Sequence, residues 1–173
     1  MRKIQLAISI LLFFILTTNC SDKNSSEPIM NKIKFEGITT TDIFGAYTGF
    51  YDSLDWRLDD SWQSSEKELF PDYELYNYSC PSDSNNQIVG YPNPILDYMF
   101  KLHFDRDSTT RVDFIVVNQN FEEILSLGSV YKQEIAMTFK DVVTEKDSIF
   151  RVYYRFVTEN NCCYTGHGDI QIK

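Results

Sequence analysis

The sequence predicts an all-β protein built as an antiparallel β-sandwich, with a turn-rich N-terminal segment that contains one short helix. Several runs alternate apolar and polar residues, which is the period of a strand with one buried face. Turn-forming residues separate these runs at a spacing of roughly ten residues, as in sandwiches. The prolines at positions 92 and 94 force an extended chain at the start of the most regular part.

Residues 1–19 are typical of a secretory signal peptide. Arg2 and Lys3 are basic, residues 4–16 form an apolar run, and Cys20 follows a short polar stretch. A cysteine in this place resembles the cleavage site of bacterial lipoproteins, which predicts lipidation of Cys20. Ordinary signal cleavage, with Cys20 lost or left as a free thiol, is the alternative. Both outcomes predict a protein that leaves the cytoplasm.

Residues 20–30 are polar and predict a tether between the lipid and the folded domain. The tether starts with Ser21 and Asp22, which resembles the surface-export signals of Bacteroidota lipoproteins, and a plain solvated spacer explains it equally well. We therefore expect an outer-membrane lipoprotein of the cell envelope that faces the periplasm or the cell surface.

The formal net charge of −9 argues against two classes of partner. The chain has no cluster of lysines and arginines, so neither nucleic acid nor anionic lipid is expected to bind the protein surface. We expect the attached lipid, rather than the protein surface, to hold the chain at the membrane.

Residues 31–79 are predicted to be an extended segment packed on the sandwich. Residues 33–38 are a candidate first strand, and in residues 44–52 glycines separate the aromatic residues, which indicates turns. Ser65 and Glu68 match a capping box for a short helix that ends near Phe70. Residues 73–78 have the alternation of a strand.

Trp56 and Trp62 lie on either side of the polar residues 57–61. Flat aromatic rings stack on sugar faces and carboxylates accept hydrogen bonds from hydroxyl groups, so this pair is a candidate carbohydrate-binding platform. The alternative is that both rings cover one edge of the sandwich core.

Residues 80–173 are predicted to form the sandwich itself. Every second residue from 98 to 104 is apolar, which indicates a half-buried strand. Residues 111–118 are apolar on both faces and favour a central strand. Residues 121–127 follow a turn, and we expect the three runs to form one antiparallel meander.

Residues 90–127 resemble the C-terminal sorting modules of type IX secretion and the related FlgD-like immunoglobulin-type sandwiches of the Bacteroidota. In that pattern a Tyr-Pro-Asn-Pro lead, here residues 91–94, comes before a strand, a second strand rich in Val and Ile, a turn and a short closing strand. The resemblance implies an immunoglobulin-like sandwich. It does not carry over the secretion-signal role, because sorting modules follow a large passenger and residues 118–121 lack the usual Asp and Gly.

Residues 149–158 are the clearest later strand, with one face in the core and the other partly exposed to solvent. A turn is expected between residues 160 and 168. Residues 169–173 are the predicted last strand, with Ile170 and Ile172 pointing inward.

Lipidation of Cys20 leaves Cys80, Cys162 and Cys163. An oxidising compartment favours a disulfide from Cys80 to one of the adjacent pair, which would join the start of the sandwich to its last turn. A bridge between Cys162 and Cys163 is the lesser alternative. A redox active site is disfavoured because the CxxC spacing is missing.

Catalytic signals are weak. Asp105 and Asp107 resemble the DxDxT nucleophile motif of haloacid-dehalogenase phosphatases, but that family needs a parallel sheet, and a polar turn between two strands explains both residues. His103 and His167 are the only histidines and have no zinc-site spacing. Because His167 lies between glycines, it is expected in an exposed turn.

A calcium site at Asp55, Asp59 and Asp60 lacks the regular ligand spacing. The sequence therefore predicts no catalytic residue, no metal and no cofactor. We expect a non-catalytic protein-interaction or structural module, with an envelope protein or a glycan as its partner. Carbohydrate binding through Trp56 and Trp62 is the alternative function.

Overall fold

A computed structural model of the chain describes residues 32–81, 88–143 and 147–173. The strands are β1 (Arg57–Leu58), β2 (Ile88–Tyr91), β3 (Met99–Phe104), β4 (Arg111–Val117), β5 (Glu123–Val130), β6 (Glu134–Thr138), β7 (Ser148–Val157) and β8 (Cys163–Ile172). The helix α1 (Ser64–Lys67) and a 3-10 turn (Tyr73–Leu75) lie between β1 and β2. The predicted signal peptide, tether and lipidated Cys20 fall outside the described residues.

The strands form two antiparallel sheets. Their order is β1-β8-β7-β4-β5 in the five-stranded sheet and β2-β3-β6 in the three-stranded sheet. Apolar side chains from both sheets meet in one core, and Ile170 and Ile172 point into it as predicted. The prediction of an all-β antiparallel sandwich with one short N-terminal helix is confirmed. The core side chains include Ile95, Phe100, Leu102, Phe104, Val112, Phe114, Val116, Val152, Tyr154, Phe156, Ile170 and Ile172.

The central strands have the predicted burial but not the predicted pairing. In β3 the alternation of buried and more exposed residues is present, and β4 is buried on both faces between β7 and β5. The meander is wrong, because β3 belongs to the three-stranded sheet while β4 and β5 belong to the five-stranded sheet. Alternation indicates which face of a strand is buried, but it does not indicate which sheet the strand joins.

The outer face of β7 is not exposed to solvent, contrary to the prediction. Tyr153 and Arg155 on this face are only 0% and 4% exposed because the N-terminal segment covers them. Trp62 packs edge-on against Tyr153 with ring centroids 5.4 Å apart, and the Tyr153 hydroxyl donates to Glu66 at 3.0 Å. This second apolar cluster consists of Ile33, Trp62, Phe70, Tyr73, Ile115, Val117 and Tyr153.

An ion cluster fixes the N-terminal segment over this outer face. Arg155 Nε donates to Asp113 on β4 at 2.7 Å, and Arg155 Nη2 pairs with Asp72 at 2.7 Å. The guanidinium carbon also lies 4.8 Å from the centroid of the Phe70 ring. A buried charge is costly unless it is paired, so these contacts hold the segment in one position on the sheet.

Two strand predictions in the N-terminal segment are wrong. Residues 33–38 form no strand, and Tyr73–Leu75 is a 3-10 turn. The short helix is confirmed, but its capping pair is slightly earlier than expected. The Gln63 N–H donates to Glu66 Oε2 at 2.6 Å, so Gln63 rather than Ser65 is the capping residue.

The last strand begins earlier than predicted, because Gly166 and Gly168 lie inside β8. A Cβ atom at Gly166 would be 2.1 Å from the carbonyl oxygen of Arg57, and one at Gly168 would be 2.4 Å from the Trp56 ring. The two glycines therefore allow close packing within the sheet and do not form a turn.

The disulfide joins Cys80 to Cys162, with the two Cα atoms 5.8 Å apart. It lies at the end of the sandwich where β4 and β8 begin, which we call the disulfide end. The predicted link from Cys80 to the adjacent pair is confirmed, and its partner is Cys162. Cys163 remains a free, buried thiol.

At the opposite end, where β4 and β8 finish, Asn93 joins three parts of the chain. Its buried Nδ2 donates to the carbonyl oxygens of Thr39 and Asp169, each at 2.8 Å, and its Oδ1 accepts the Gln171 N–H at 3.0 Å. Its backbone N–H and C=O both pair with Thr41. The N-terminal segment, the chain after β2 and the strand β8 therefore meet at one amide whose donors are both used.

Asn93→Ala should be strongly destabilising, because it leaves two buried carbonyl groups and one N–H without their partner. Each such group costs about 1–3 kcal/mol, so we expect the free energy of unfolding to fall by about 3 kcal/mol or more in urea denaturation. Asn160→Ala, at an exposed turn position, is the control and should change it by about 0.5 kcal/mol or less. Similar losses in both variants would contradict the role of Asn93.

The disulfide should stabilise the folded state, because it closes a loop with a sequence separation of 82. Chain entropy predicts that Cys162→Ala lowers the free energy of unfolding by up to about 4 kcal/mol. Cys163→Ala should keep the bridge. Peptide mapping without reductant checks the pairing, and alkylation of Cys80 in the unreduced wild type would contradict it.

Candidate functional site

Trp56 and Trp62 do not form an exposed carbohydrate platform, which corrects that prediction. They are 5% and 3% exposed, and they belong to different clusters. Trp56 lies in the core between the sheets and stacks on Tyr154, with ring centroids 6.3 Å apart. Trp62 lies on the outer face of the five-stranded sheet against Phe70. Both rings are used in packing, although not at one edge of a single core.

Two of the aspartates considered for catalysis or calcium, Asp107 and Asp59, hold local turns. Asp107 Oδ1 accepts hydrogen bonds from the backbone N–H groups of Thr109 and Thr110, at 3.0 and 2.8 Å, which is the arrangement of a polar turn. Asp59 Oδ1 accepts the Ser61 N–H at 2.8 Å. Among the described residues, no three His, Cys, Asp or Glu side chains are grouped as a metal site requires.

Asp55 is buried at the side of β8, where it connects that strand to the N-terminal segment. Its carboxylate accepts the Thr39 N–H at 3.0 Å and the Asp169 N–H at 2.9 Å. Burial raises the pKa of Asp55 to about 6, although these two hydrogen bonds favour the charged form. Asp169 in turn holds Arg151 through two contacts of 2.7 Å.

His167 is not in an exposed turn but lies within β8, with its side chain 12% exposed. Its Nδ1 is 3.8 Å from Asp59 Oδ2, and its ring centroid is 5.9 Å from that of Tyr153. Burial, assisted by the positive charge of Arg151, lowers the pKa of His167 to about 4. His103 is on β3 in the other sheet, so the two histidines are not brought together as a zinc site.

The free thiol of Cys163 is protected rather than activated. Cys163 is 2% exposed, and burial raises the pKa of its thiol to about 11. Because the thiolate is the nucleophile, a thiol with this pKa is poorly reactive at neutral pH.

The largest group of exposed apolar side chains in the described residues lies in a hairpin of residues 40–51, which we call the aromatic hairpin. Its arms pair through the Thr40 N–H to Phe50 carbonyl bond at 2.9 Å and the Thr48 N–H to Thr40 carbonyl bond at 3.0 Å. The exposed side chains are Ile43 (67%), Phe44 (83%), Tyr47 (57%), Phe50 (58%) and Tyr51 (56%).

The tip of the aromatic hairpin is a tight turn. Asp42 Oδ1 accepts the N–H groups of Phe44 and Ala46 at 2.8 and 2.9 Å, which satisfies backbone donors inside the turn. Gly45 has a φ of +83°, a conformation that disfavours side chains, and a Cβ atom there would be 3.3 Å from the Tyr91 ring. The turn therefore rests against β2 instead of extending freely.

Buried and partly buried hydrogen bonds fix the base of the aromatic hairpin. Thr41 Oγ1 donates to the Gly90 carbonyl at 2.9 Å, in addition to the backbone pairing of Thr41 with Asn93. The Asp52 N–H donates to Thr39 Oγ1 at 3.0 Å. The exposed rings are thus carried by a backbone that belongs to the folded sandwich. We call the end of the sandwich where Asn93 lies the hairpin end.

The aromatic hairpin has the chemistry of a contact surface. No lysine or arginine occurs from residue 37 to residue 56. The carboxylates of Asp42, Asp52 and Asp55 accept hydrogen bonds from backbone N–H groups, so they act in holding the loop together. The most exposed side chains of the hairpin are aromatic and aliphatic.

Residues 44–52 were expected to form turns but were not expected to be a site. A signal was available, because bulky apolar residues stood there without the period of a strand or a helix. Such residues have no regular face to bury, so exposure was a reasonable expectation.

No protein-family model matches the chain, and no curated protein matches it either. Within the described ranges, no helix has both the length and the apolar character that a membrane crossing requires.

The depressed pKa of His167 predicts a specific loss of stability in acid. The unfolded histidine, with a pKa near 6.5, binds a proton between pH 6.5 and about 4, whereas the folded one stays neutral. The contribution of His167 to the free energy of unfolding, up to about 3 kcal/mol, is therefore present above pH 6.5 and lost as the pH falls to about 4. NMR titration of His167 checks the pKa, and a midpoint near 6.5 would contradict it.

Asp55 changes the stability with pH in the opposite direction to His167. Because its pKa is raised in the folded state, Asp55 favours the folded state in acid, and this contribution to stability is lost as the pH rises from about 4 to about 6. The two effects partly cancel in the wild type. His167→Gln removes only the histidine effect, so this variant should lose less stability than the wild type when the pH is lowered from 6.5 to 4.

Proposed function

We propose that this chain is a lipid-anchored module of the cell envelope that acts by contact rather than by catalysis, as an interaction or structural component. The lipid is attached at Cys20, and the aromatic hairpin is the contact surface. The observation that carries the proposal is the exposure of five large apolar side chains on a hairpin whose base is fixed by hydrogen bonds to the folded sandwich.

Two physical arguments support a contact role for the aromatic hairpin. Contiguous exposed apolar patches on soluble domains are typical of interaction sites. A surface that is already ordered also loses less conformational entropy on binding than a flexible loop does. Tyr47 and Tyr51 illustrate this order, since their rings pack edge to face with centroids 5.3 Å apart.

The distribution of polar groups also favours contact over catalysis. Asp107, Asp55 and Asp59 accept hydrogen bonds from backbone groups, and the guanidinium of Arg155 is paired with two carboxylates. These side chains stabilise turns and hold the N-terminal segment, so their presence needs no catalytic explanation.

An envelope protein or a glycan is the partner expected from the sequence, and either would bind the aromatic hairpin. A glycan would stack on the exposed rings of Tyr47 and Tyr51, because Trp56 and Trp62 are buried.

Lipid attachment should depend on Cys20. Expressed in a suitable bacterium, the wild-type protein should incorporate labelled fatty acid and partition into the detergent phase. Cys20→Ser should lose the label and stall in processing or be released. Label retained by Cys20→Ser would contradict this anchor.

The aromatic hairpin should be covered when the protein is in its native envelope. Hydroxyl-radical footprinting should modify Tyr47 and Tyr51 less than Tyr131 in intact envelopes, although the three residues are 57%, 56% and 55% exposed in the free fold. The unfolded protein in denaturant gives the reference reactivities. Tyr131 follows β5 near the disulfide end and serves as the matched control. Equal modification of all three tyrosines in envelopes would contradict a contact role.

A further inference from the structure

We infer that the partner of the aromatic hairpin is the lipid surface itself: the hairpin lies in the interfacial layer of the bilayer that holds the lipid anchor, and so orients the sandwich. This inference rests on the proposed function, because it names what the contact surface meets. It also changes the expectation that the attached lipid alone holds the chain at the membrane.

The first argument is the placement of exposed apolar side chains. The hairpin end also carries Leu96 and Met99, which are 73% and 46% exposed. Leu96 follows Ile95, whose backbone pairs with Gln171 and Lys173 where β8 finishes. Exposed apolar side chains therefore occur both in the aromatic hairpin and beside the point where β8 finishes. A broad apolar end fits a flat apolar layer better than it fits a narrow ligand.

The second argument is the chemistry of the aromatic hairpin. Ile43 and Phe44 occupy the tip and are the most exposed, while Tyr47 and Tyr51 lie behind it. An aliphatic and a phenyl group suit the acyl boundary, and tyrosines, which have an apolar ring and a polar hydroxyl, are enriched at the level of the lipid headgroups. Interfacial segments bury their apolar side about 5–10 Å deep, and the exposed side chains of Ile43 and Phe44 are the part of the hairpin that would enter this layer.

The third argument is charge. The stretch from residue 37 to residue 56 contains no basic residue, and its carboxylates at Asp42 and Asp52 already accept backbone hydrogen bonds. The remaining charges near this end, including Asp97, Lys140 and Lys173, are of mixed sign. An anionic headgroup would therefore find no cluster of positive charge in this stretch, whereas a neutral lipid surface needs none.

The fourth argument is the place where the chain leaves the sandwich. The Ile33 N–H donates to the carbonyl of Gln119 at 2.8 Å, in the turn after β4, so the first described residues lie at the hairpin end. Residues 21–31 connect this point to the proposed lipid on Cys20. An extended chain of that length spans about 40 Å at most, so the distance from this end of the sandwich to the lipid anchor cannot exceed that length.

These arguments predict one orientation. The hairpin end faces the lipid, and the disulfide end, with Leu75 exposed beside it, faces away. The orientation leaves the disulfide end open to the aqueous phase.

The test uses the full-length lipidated protein in phosphatidylcholine vesicles whose acyl chains carry bromine, which quenches tryptophan on contact. Phe44→Trp places a probe at the tip, and Leu75→Trp places the matched probe at the opposite end, both at highly exposed positions. The wild type supplies the background from the buried Trp56 and Trp62. We expect a loss of the added fluorescence and a blue shift for Phe44→Trp only, with little change at high salt.

Each outcome is decisive. Equal quenching of the two probes, or none for Phe44→Trp, would overturn the inference. If the tip stays unquenched in vesicles while Tyr47 and Tyr51 are still covered in envelopes, the occupant is an envelope protein or a glycan, and the proposed function survives. Absence of fatty acid at Cys20, measured before the vesicle experiment, would overturn both proposals. Quenching that disappears at high salt would replace the apolar contact with an ionic one and overturn the inference as stated.

Discussion

The arrangement of this protein depends on the buried side-chain amide of Asn93. Its two N–H donors and its oxygen bind Thr39, Asp169 and Gln171, so one side chain connects the N-terminal segment to the last strand. An amide without these partners would be costly in the core, which makes the junction cooperative. The chain after β2 cannot shift without breaking contacts to both other segments. This junction also positions the aromatic hairpin, because the backbone of Thr41 pairs directly with the backbone of Asn93.

A second layer of contacts makes the N-terminal segment part of the domain. On the outer face of the five-stranded sheet, Trp62 and Phe70 cover Tyr153. Asp72 forms an ion pair with the buried guanidinium of Arg155. The segment is thus held by apolar packing on one side of the sheet and by the Asn93 junction at its end. An exposed hairpin on such a support presents its rings in a fixed geometry, which a loop on a loose tail would not do. This is the physical link between the fold and the proposed contact role.

Regular alternation made much of the sandwich predictable from the sequence. The pattern of β3 and the two-sided burial of β4 follow from local period, and the bridge from Cys80 follows from the cysteine count and compartment. Sheet membership was missed, because it depends on long-range pairing that alternation does not encode. Gly166 was expected in a turn, whereas it lies in β8, where the carbonyl oxygen of Arg57 leaves no room for a side chain. The hairpin was not selected as a site, since its position is set by contacts with Asn93 that are distant in sequence.

Amide hydrogen exchange of the native protein tests most directly whether the junction holds the hairpin as part of the sandwich. The informative N–H groups are those of Thr41 and Gln171, which bind the Asn93 backbone and side chain, with the Val116 N–H in the central strand β4 as the reference for global unfolding. Our account predicts that all three exchange with the same free energy of opening, equal to that of global unfolding. Fast exchange at Thr41 and Gln171, with β4 still protected, would show that the N-terminal segment opens independently and would contradict the account.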